Sequence, residues 1–381
     1  MTVHPGVPAG IWAALLLTAL ATGSPLFFLL SVLTALTAIL EGCAVWWVSA
    51  TLHVSVEMSD RTVYRGDSAS LALTLRHSGW IPVAPLALEL CAPDGSDPRE
   101  IFLRNQPGRV QTLRMPLEAD HVGVFPSGVR ACRVEGLLGI FGKTVTPEGA
   151  LFTLTVLPRT FDTDPLPLAP GDPGSEIMAR ATEDLSAPSD IRAYQTGDAM
   201  KKIHWKLSLR KGELMVRKFE EPVLREVLIL MDCARPAVPD QPPEEAGIRD
   251  ALLETAASIL SAEAATDHSV RLPLPGKRPV ELDLRLGLPL AFEALARTDF
   301  SAADRFDRVL TLESRRLRKV GCAVIITARL TSAVAEVLIQ MRRIGPALRL
   351  YLIAADPEDP ALLPRIARLR HAGIEVKVIT C

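Results

Sequence analysis

Residues 192–221 contain the densest group of side chains that could carry recognition or chemistry. The segment mixes guanidinium, imidazole, indole and phenol groups, has a Gly-Asp turn, and ends on two adjacent glutamates. The candidate binding residues are Arg192, Tyr194, Gly197, Asp198, His204, Trp205, Arg210, Arg217, Glu220 and Glu221. Between residues 192 and 218, eight Lys or Arg and two acidic residues give a local net charge of +6. Such a segment would suit an acidic protein surface or anionic lipid headgroups.

A structural role is the alternative for the same residues. Trp205 and Tyr194 would then pack against a sheet, and Arg210 or Arg217 would pair with the two glutamates at the end of the segment. The two roles are compatible, because a rigid structural element can also present a docking edge.

Asp198 predicts the start of a short helix inside this segment. Asp is a favoured N-cap residue, so the helix would begin at Ala199. The apolar spacing would turn Met200, Ile203 and Leu207 toward the core, with the lysines of the segment facing outward.

A hydrolase-type enzyme is a second possibility, with Cys233 as nucleophile, His204 as base and Asp198 as the orienting carboxylate. Nothing in the sequence brings these three residues together. Gly212 and Gly276 do not fit the spacing of a phosphate-binding loop. None of the six cysteines forms a Cys-x-x-Cys pair, so the sequence indicates neither a zinc site nor a redox motif. We expect a protein without a catalytic centre or cofactor.

The N-terminal residues 1–50 predict two transmembrane helices that form a hairpin. Residues 11–50 carry one formal charge, Glu41. A turn signal around Gly23 divides the run into Val7–Ala21 and Leu26–Val48. The second piece is long enough to cross a bilayer, whereas the first is short.

The residues at the ends of this hairpin indicate how it lies in the membrane. Trp46 and Trp47 lie where an interfacial aromatic belt belongs, at the end of the second helix. A cleavable signal peptide is the alternative, because Ala19–Leu20–Ala21 resembles a signal-peptidase site, although residues 1–10 contain no Lys or Arg. Basic residues begin at Arg61 and none lies in the turn, which favours a cytoplasmic C-terminal part.

The rest of the chain divides into three regions. Residues 51–160 alternate apolar and polar side chains, as in Leu52–Met58, which predicts a β-sandwich of immunoglobulin-like type. Residues 161–190 are rich in Pro and Gly and predict an extended linker. Residues 191–381 alternate strands and helices and predict a doubly wound α/β domain.

The loops after the strands of such an α/β domain form its functional edge. The first strand, Val227–Met231, is a continuous apolar run that ends at Asp232. Ala328 and Asp356 lie at the corresponding positions after two later strands, so we expect these residues to line the same edge.

The segment that opens this region also carries a resemblance. The pattern comprises Arg192-x-Tyr194, Gly197–Asp198, Ile203–His204–Trp205, Arg210-x-Gly212, Val216–Arg217 and Phe219–Glu220–Glu221. It resembles the signature of the bacterial family called domain of unknown function 58. The resemblance implies two transmembrane helices, a β-rich segment and a C-terminal von Willebrand factor A-like α/β domain. The residues around Gly136–Gly142 resemble a further family element, but its usual Asp-Pro-Phe-Gly form is absent.

The resemblance also implies partners and a location. Members of this family are linked by gene neighbourhood to MoxR-type AAA+ ATPases and to transglutaminase-like membrane proteins. We therefore expect a membrane-anchored scaffold or adaptor in the bacterial plasma membrane, with its C-terminal domains in the cytoplasm. Nucleic acid is not an expected partner, because the net charge is −2 and aromatic residues make up 5% of the chain.

The von Willebrand A resemblance raises the question of a metal ion. Domains of this kind that bind a divalent ion carry Asp-x-Ser-x-Ser after the first strand, and those hydroxyls are hard oxygen ligands. Here Ala234 and Pro236 replace both hydroxyl residues and Arg235 adds a positive charge. We predict no metal site, and we expect Asp232 to order its loop by accepting backbone hydrogen bonds. The missing ligands also count against a surface adhesion module.

Overall fold

A computed structural model divides the chain into two compact units, residues 1–158 and 159–381. The residues that it describes are 2–3, 6–78, 85–93, 98–104, 108–167, 190–195, 200, 203–218, 226–235, 242–266, 268–275, 280–281, 287–301 and 305–380.

The first unit begins with a short strand and two helices. Strand β1 (Thr2–Val3) precedes α1 (Gly6–Thr22) and α2 (Pro25–Thr51). The turn between the helices uses Gly23 at a φ of 62°. Both predicted helices are therefore present. Of the described helices, α2 alone is long and apolar enough to cross a membrane, since the apolar part of α1 is shorter.

Nine further strands lie in the described part of the first unit. They are β2 (Leu52–Met58), β3 (Thr62–Tyr64), β4 (Ser68–His77), β5 (Leu86–Cys91), β6 (Arg99–Leu103), β7 (Val110–Glu118), β8 (Gly123–Glu135), β9 (Phe141–Val145) and β10 (Leu151–Leu157). Strands β2, β4 and β7 form one sheet, and the other strands, with β1, form a second sheet of seven. β4 shows the predicted alternation, with Leu71, Leu73 and Leu75 buried.

Side chains from both sheets form one hydrophobic core, which includes Leu73 of β4 and Leu88 of β5. Val48, near the end of α2, belongs to the same core. β2 begins at the residue after α2 ends, so no loop separates the helix from the sheet. The prediction of β structure over this region is confirmed, while the immunoglobulin-like type stays a prediction.

The predicted linker over 161–190 is described only at its start, since 168–189 lie outside the described residues. The start is bound to the second unit. The backbone N–H of Phe161 donates to Ser258 Oγ at 2.9 Å. Arg349 donates to the carbonyl oxygens of Asp164 and Pro165 at 2.8 and 3.0 Å.

The second unit continues with a small ribbon and then an α/β sheet. The ribbon contains β11 (Asp190–Ala193), α3 (Trp205–Lys211) and β12 (Met215–Lys218). The α/β part contains β13 (Glu226–Met231), α4 (Pro242–Ala264), β14 (Ser269–Arg271), β15 (Pro273–Leu274), β16 (Val280–Glu281), α5 (Leu288–Ala296), α6 (Phe306–Glu313), a 3₁₀ helix (Ser314–Lys319), β17 (Cys322–Thr327), α7 (Ser332–Ile344), β18 (Ala347–Ala354), α8 (Leu363–His371) and β19 (Glu375–Thr380).

The main sheet has five parallel strands in the order β14-β13-β17-β18-β19. One core cluster joins alternate strand residues, such as Leu350, to buried residues of α6, α7 and α8. The order reverses at β13, so the carboxyl ends of β13 and β17 flank the topological switch point, where open α/β sheets bind ligands. This order is doubly wound, as predicted. The relation to von Willebrand A domains stays a prediction.

Candidate functional site

The predicted binding segment folds as a two-stranded antiparallel ribbon with a short helix inserted between its strands. Arg192 of β11 pairs with Val216 of β12, and Ile203 forms an isolated bridge to Val216. The backbone N–H of Tyr194 donates to the carbonyl oxygen of Leu214 at 2.8 Å. The two ends of the segment are therefore hydrogen-bonded to each other.

The described helix in this segment, α3, begins at Trp205. Its N-cap is His204, whose Nδ1 accepts from the Leu207 N–H at 3.3 Å. The backbone N–H of His204 donates to the carbonyl oxygen of Met215 of β12. Gly197, Asp198 and Ala199 lie outside the described residues, so the helix predicted to start at Ala199 stays a prediction.

The burial of this segment differs from the prediction. Ile203 is buried and Leu207 is half-buried, but Met200 is exposed. Trp205 is 58% exposed, so the prediction that it packs against a sheet is wrong, whereas Tyr194 is half-buried.

Trp205 shares one face of α3 with Leu209, four residues later, which is 84% exposed. We call these two residues the α3 patch. Lys206, Arg210 and Lys211 are exposed on the same helix. The side chains of Arg192, Arg217, Glu220 and Glu221 lie outside the described residues, and so do the ion pairs predicted for the glutamates.

A second candidate site lies at the switch point of the sheet. Asp232 follows β13 and its side chain is 4% exposed. Arg329, two residues after β17, donates from Nη2 to Oδ1 of Asp232 at 2.7 Å and from Nε to Oδ2 at 3.2 Å. The hydroxyl of Thr327 donates to Oδ2 at 2.9 Å. A buried carboxylate is thus neutralised by a guanidinium of the same chain.

The sequence indicated only part of this cluster. Asp232 was predicted to order its loop, and the Ala234 N–H does donate to Oδ1 of Asp232 at 3.2 Å. Thr327 and Arg329, which flank the expected edge residue Ala328, were not predicted. Both residues lie at or just after the end of the predicted strand Val320–Thr327, which was a partial signal, because the carboxyl ends of neighbouring parallel strands meet at one edge of the sheet.

The other residues expected at this edge form local contacts. Arg235 pairs with Glu245 at 3.1 Å. Asp356 accepts the N–H of Glu358 at 2.9 Å, which makes a turn of its own loop. Pro236 lies outside the described residues. Among the described residues, no group of three or more His, Cys, Asp and Glu side chains could hold a metal ion.

Two of the three side chains proposed for an enzyme, those of Cys233 and His204, are bonded within their own segments, and the third, that of Asp198, lies outside the described residues. The Cys233 thiol donates to the carbonyl oxygen of Met231 at 3.6 Å, while His204 caps α3. Burial, together with the adjacent Asp232 carboxylate, raises the pKa of Cys233 to about 12. The thiol therefore stays protonated near neutral pH, whereas a nucleophilic cysteine needs its thiolate.

These features lie within or beside the part of the chain that matches a known family. The family model described as "Protein of unknown function DUF58" matches residues 190–270, which include the ribbon and the Asp232 loop. This match confirms the resemblance to that family. The chain is also similar to "Uncharacterized protein YeaD" from Bacillus subtilis (strain 168), at 26% identity over 197 residues. The alignment covers 48% of each protein, so this chain spans about half the length of that relative.

Similarity to solved structures is weak. The CARDB domain of the PF1109 protein from Pyrococcus furiosus has 12% identity and a TM-score of 0.21, covering 28% of this chain and 91% of that one. Cwp6 from Clostridium difficile has 12% identity and a TM-score of 0.19, covering 86% of this chain and 37% of that one. Scores this low carry no argument about fold or function.

Proposed function

We propose that this protein is a membrane-anchored, non-catalytic adaptor whose C-terminal unit binds a protein partner through the α3 patch. The partner class is a MoxR-type AAA+ ATPase, with a transglutaminase-like membrane protein as a further associate. The observation that carries the proposal is the exposure of Trp205 and Leu209 inside the family-matched segment.

The α3 patch has the chemistry of an interface centre. Trp and Arg are enriched among the residues that dominate binding energy, and an apolar centre with a charged rim is typical of specific interfaces. Here Lys206, Arg210 and Lys211 supply a basic rim. The complementary surface is therefore apolar at its centre and acidic around it, which would also direct association through charge.

The N-terminal helices supply the anchor in this proposal. α2 has 27 residues, and its apolar side chains from Leu26 to Leu40 are largely exposed. In water such a surface would be costly, whereas acyl chains solvate it. A helical hairpin in the plasma membrane would place both chain segments that leave it on the cytoplasmic side.

Two observations support a non-catalytic role. The Cys233 thiol is held protonated by burial. At the switch point, where a ligand or ion would bind, the Asp232 carboxylate is occupied by Arg329 and Thr327. The Asp232 carboxylate is therefore not free to bind a ligand or an ion.

The test compares binding of the full chain, reconstituted in lipid vesicles, to a purified MoxR-type ATPase with a non-hydrolysable nucleotide. The double variant Trp205→Ala, Leu209→Ala should weaken binding by about 30-fold or more, as loss of an interface centre does. The matched control is Leu312→Ala, since Leu312 of α6 is 64% exposed in the same unit. Binding that the control weakens equally, or no binding by the parent chain, would contradict the proposal.

A further inference from the structure

The turn between β8 and β9 presents two adjacent leucines to the outside. Leu137 is 67% exposed and Leu138 is 65% exposed. Turns are usually polar, so an apolar pair at a turn tip calls for a partner surface. We call residues 136–141 the β8–β9 turn.

This turn is attached to α2. The backbone N–H of Leu138 donates to Oε1 of Glu41 at 2.9 Å. Gly136 lies so close to the Glu41 carboxyl that a Cβ atom there would overlap it. A Cβ atom at Gly42 would lie 3.6 Å from the ring of Phe141. The turn therefore covers Glu41, which is the one charged residue of α2 and is 8% exposed.

The position of Glu41 along α2 sets the depth of the turn. At 1.5 Å per residue, Glu41 lies about 24 Å from Pro25, where α2 begins. The hydrocarbon core of a bilayer is about 30 Å thick. Trp46 and Trp47 are exposed about 8 Å further along the helix, which suits the interface with water. Glu41 and the turn bonded to it therefore lie nearer to the centre of the bilayer than the two tryptophans do.

The length of the first helix gives the same depth for the β8–β9 turn. α1 has 17 residues and packs on α2, so it rises about 25 Å from the Gly23 turn. Just before it, β1 pairs with β9, where Val3 lies opposite Phe141. The helical hairpin thus reaches the β8–β9 turn after about 25 Å, which is short of the hydrocarbon thickness.

We propose that the β8–β9 turn inserts into the same bilayer as α1 and α2, with Leu137 and Leu138 among the acyl chains just below the headgroups. The occupant of this surface is lipid. The turn completes the apolar span that the short first helix leaves incomplete, and it shields Glu41 from the acyl chains. This inference rests on the proposed membrane anchoring and adds that the β unit itself is seated in the membrane.

The test uses the full chain in vesicles of phosphatidylcholine and phosphatidylglycerol, with an environment-sensitive fluorophore on one introduced cysteine. Cys43→Ala and Cys381→Ser remove one exposed thiol and the C-terminal one, while Cys91, Cys132, Cys233 and Cys322 are buried. The probe sites are Leu138→Cys, with Leu137→Cys as a second site should the first disturb the turn. Leu36→Cys on α2 reports anchoring. Val124→Cys is the matched control, because Val124 is exposed on β8 about 40 Å along the strand from the turn.

Quenching by nitroxide-labelled lipid and by aqueous iodide separates the outcomes. We expect the probes at residues 36 and 138 to be quenched by the lipid and protected from iodide, and the probe at residue 124 to show the reverse. If residue 36 is quenched by lipid but residues 137 and 138 are as open to iodide as residue 124, insertion of the turn is refuted and anchoring stands. If residue 36 is also open to iodide, the anchoring proposal itself fails.

Discussion

Replacing Arg329 by methionine should destabilise the C-terminal unit by about 3 kcal/mol, because the change removes the cation that is bonded to the buried Asp232 carboxylate. Methionine keeps much of the apolar stem of arginine, so the loss reports the charge and its hydrogen bonds rather than packing. Asp232 would retain the Thr327 hydroxyl and the Ala234 N–H as donors.

The magnitude follows from the exposure of the two partners. Removing one member of a buried ion pair costs about 3–5 kcal/mol. The Asp232 side chain is 4% exposed, but that of Arg329 is 33% exposed, and solvent screens this end of the pair. The lower limit therefore applies. For a unit of this size, about 3 kcal/mol lowers the melting temperature by roughly 6–12 °C.

The assay is hydrogen exchange of the full chain in detergent, read on peptides from β13 and β17, with calorimetry of the same samples. The matched control is Arg297→Met, since Arg297 is 66% exposed and pairs with Glu293 only at 3.7 Å. That change should cost less than about 0.5 kcal/mol. In an Asp232→Asn background, Arg329→Met should cost about 1 kcal/mol at most, because no buried charge remains. Equal effects of Arg329→Met and Arg297→Met would refute the reasoning.

Two further predictions concern buried groups. Burial raises the pKa of Cys233 and Cys322 from 9.0 to about 12. As the pH rises, these thiols therefore ionise in the unfolded chain before they ionise in the folded one. The free energy of unfolding should fall between pH 9.0 and about 12, by up to about 1.4 kcal/mol per pH unit for each thiol. Urea unfolding at several pH values should show a shallower alkaline decline when both are replaced by alanine, and an unchanged slope would count against this account. Gly136→Ala should destabilise the first unit by about 2 kcal/mol through overlap with Glu41, whereas Gly10→Ala, which meets open space, should not; equal melting temperatures of the two variants would contradict this.

Patterns that depend on burial could be read from the sequence. The alternation in β4 and the continuous apolar run of β13 are each set by which faces are covered, and the structure agrees with both. The same logic identified α2, because a long apolar run has few alternatives. The alternation of strands and helices predicted the fold class, a doubly wound sheet. It did not predict which strands are neighbours, since strand pairing is decided by tertiary packing.

Contacts between distant segments could not be read in this way. Arg329 and Asp232 are far apart in sequence, and each is an ordinary residue in its own window. The helix start predicted at Ala199, with Asp198 as its cap, lies outside the described residues and stays a prediction. The sequence left open whether Trp205 packs against a sheet or lies at an exposed docking edge, because a single indole has no periodic pattern that indicates its burial, whereas the structure shows it 58% exposed.

The two candidate sites of the C-terminal unit differ in how readily they could bind a partner or a ligand. In doubly wound sheets the switch point is the usual place for a ligand, and its recognition needs polar groups that are free to bind. Here the central carboxylate is bonded to Arg329, Thr327 and its own loop, so a ligand would have to break a buried ion pair before it could bind. The α3 patch has no such cost, because Trp205 and Leu209 are already exposed. Recognition by this unit is therefore better supported on the ribbon than in the crevice of the sheet.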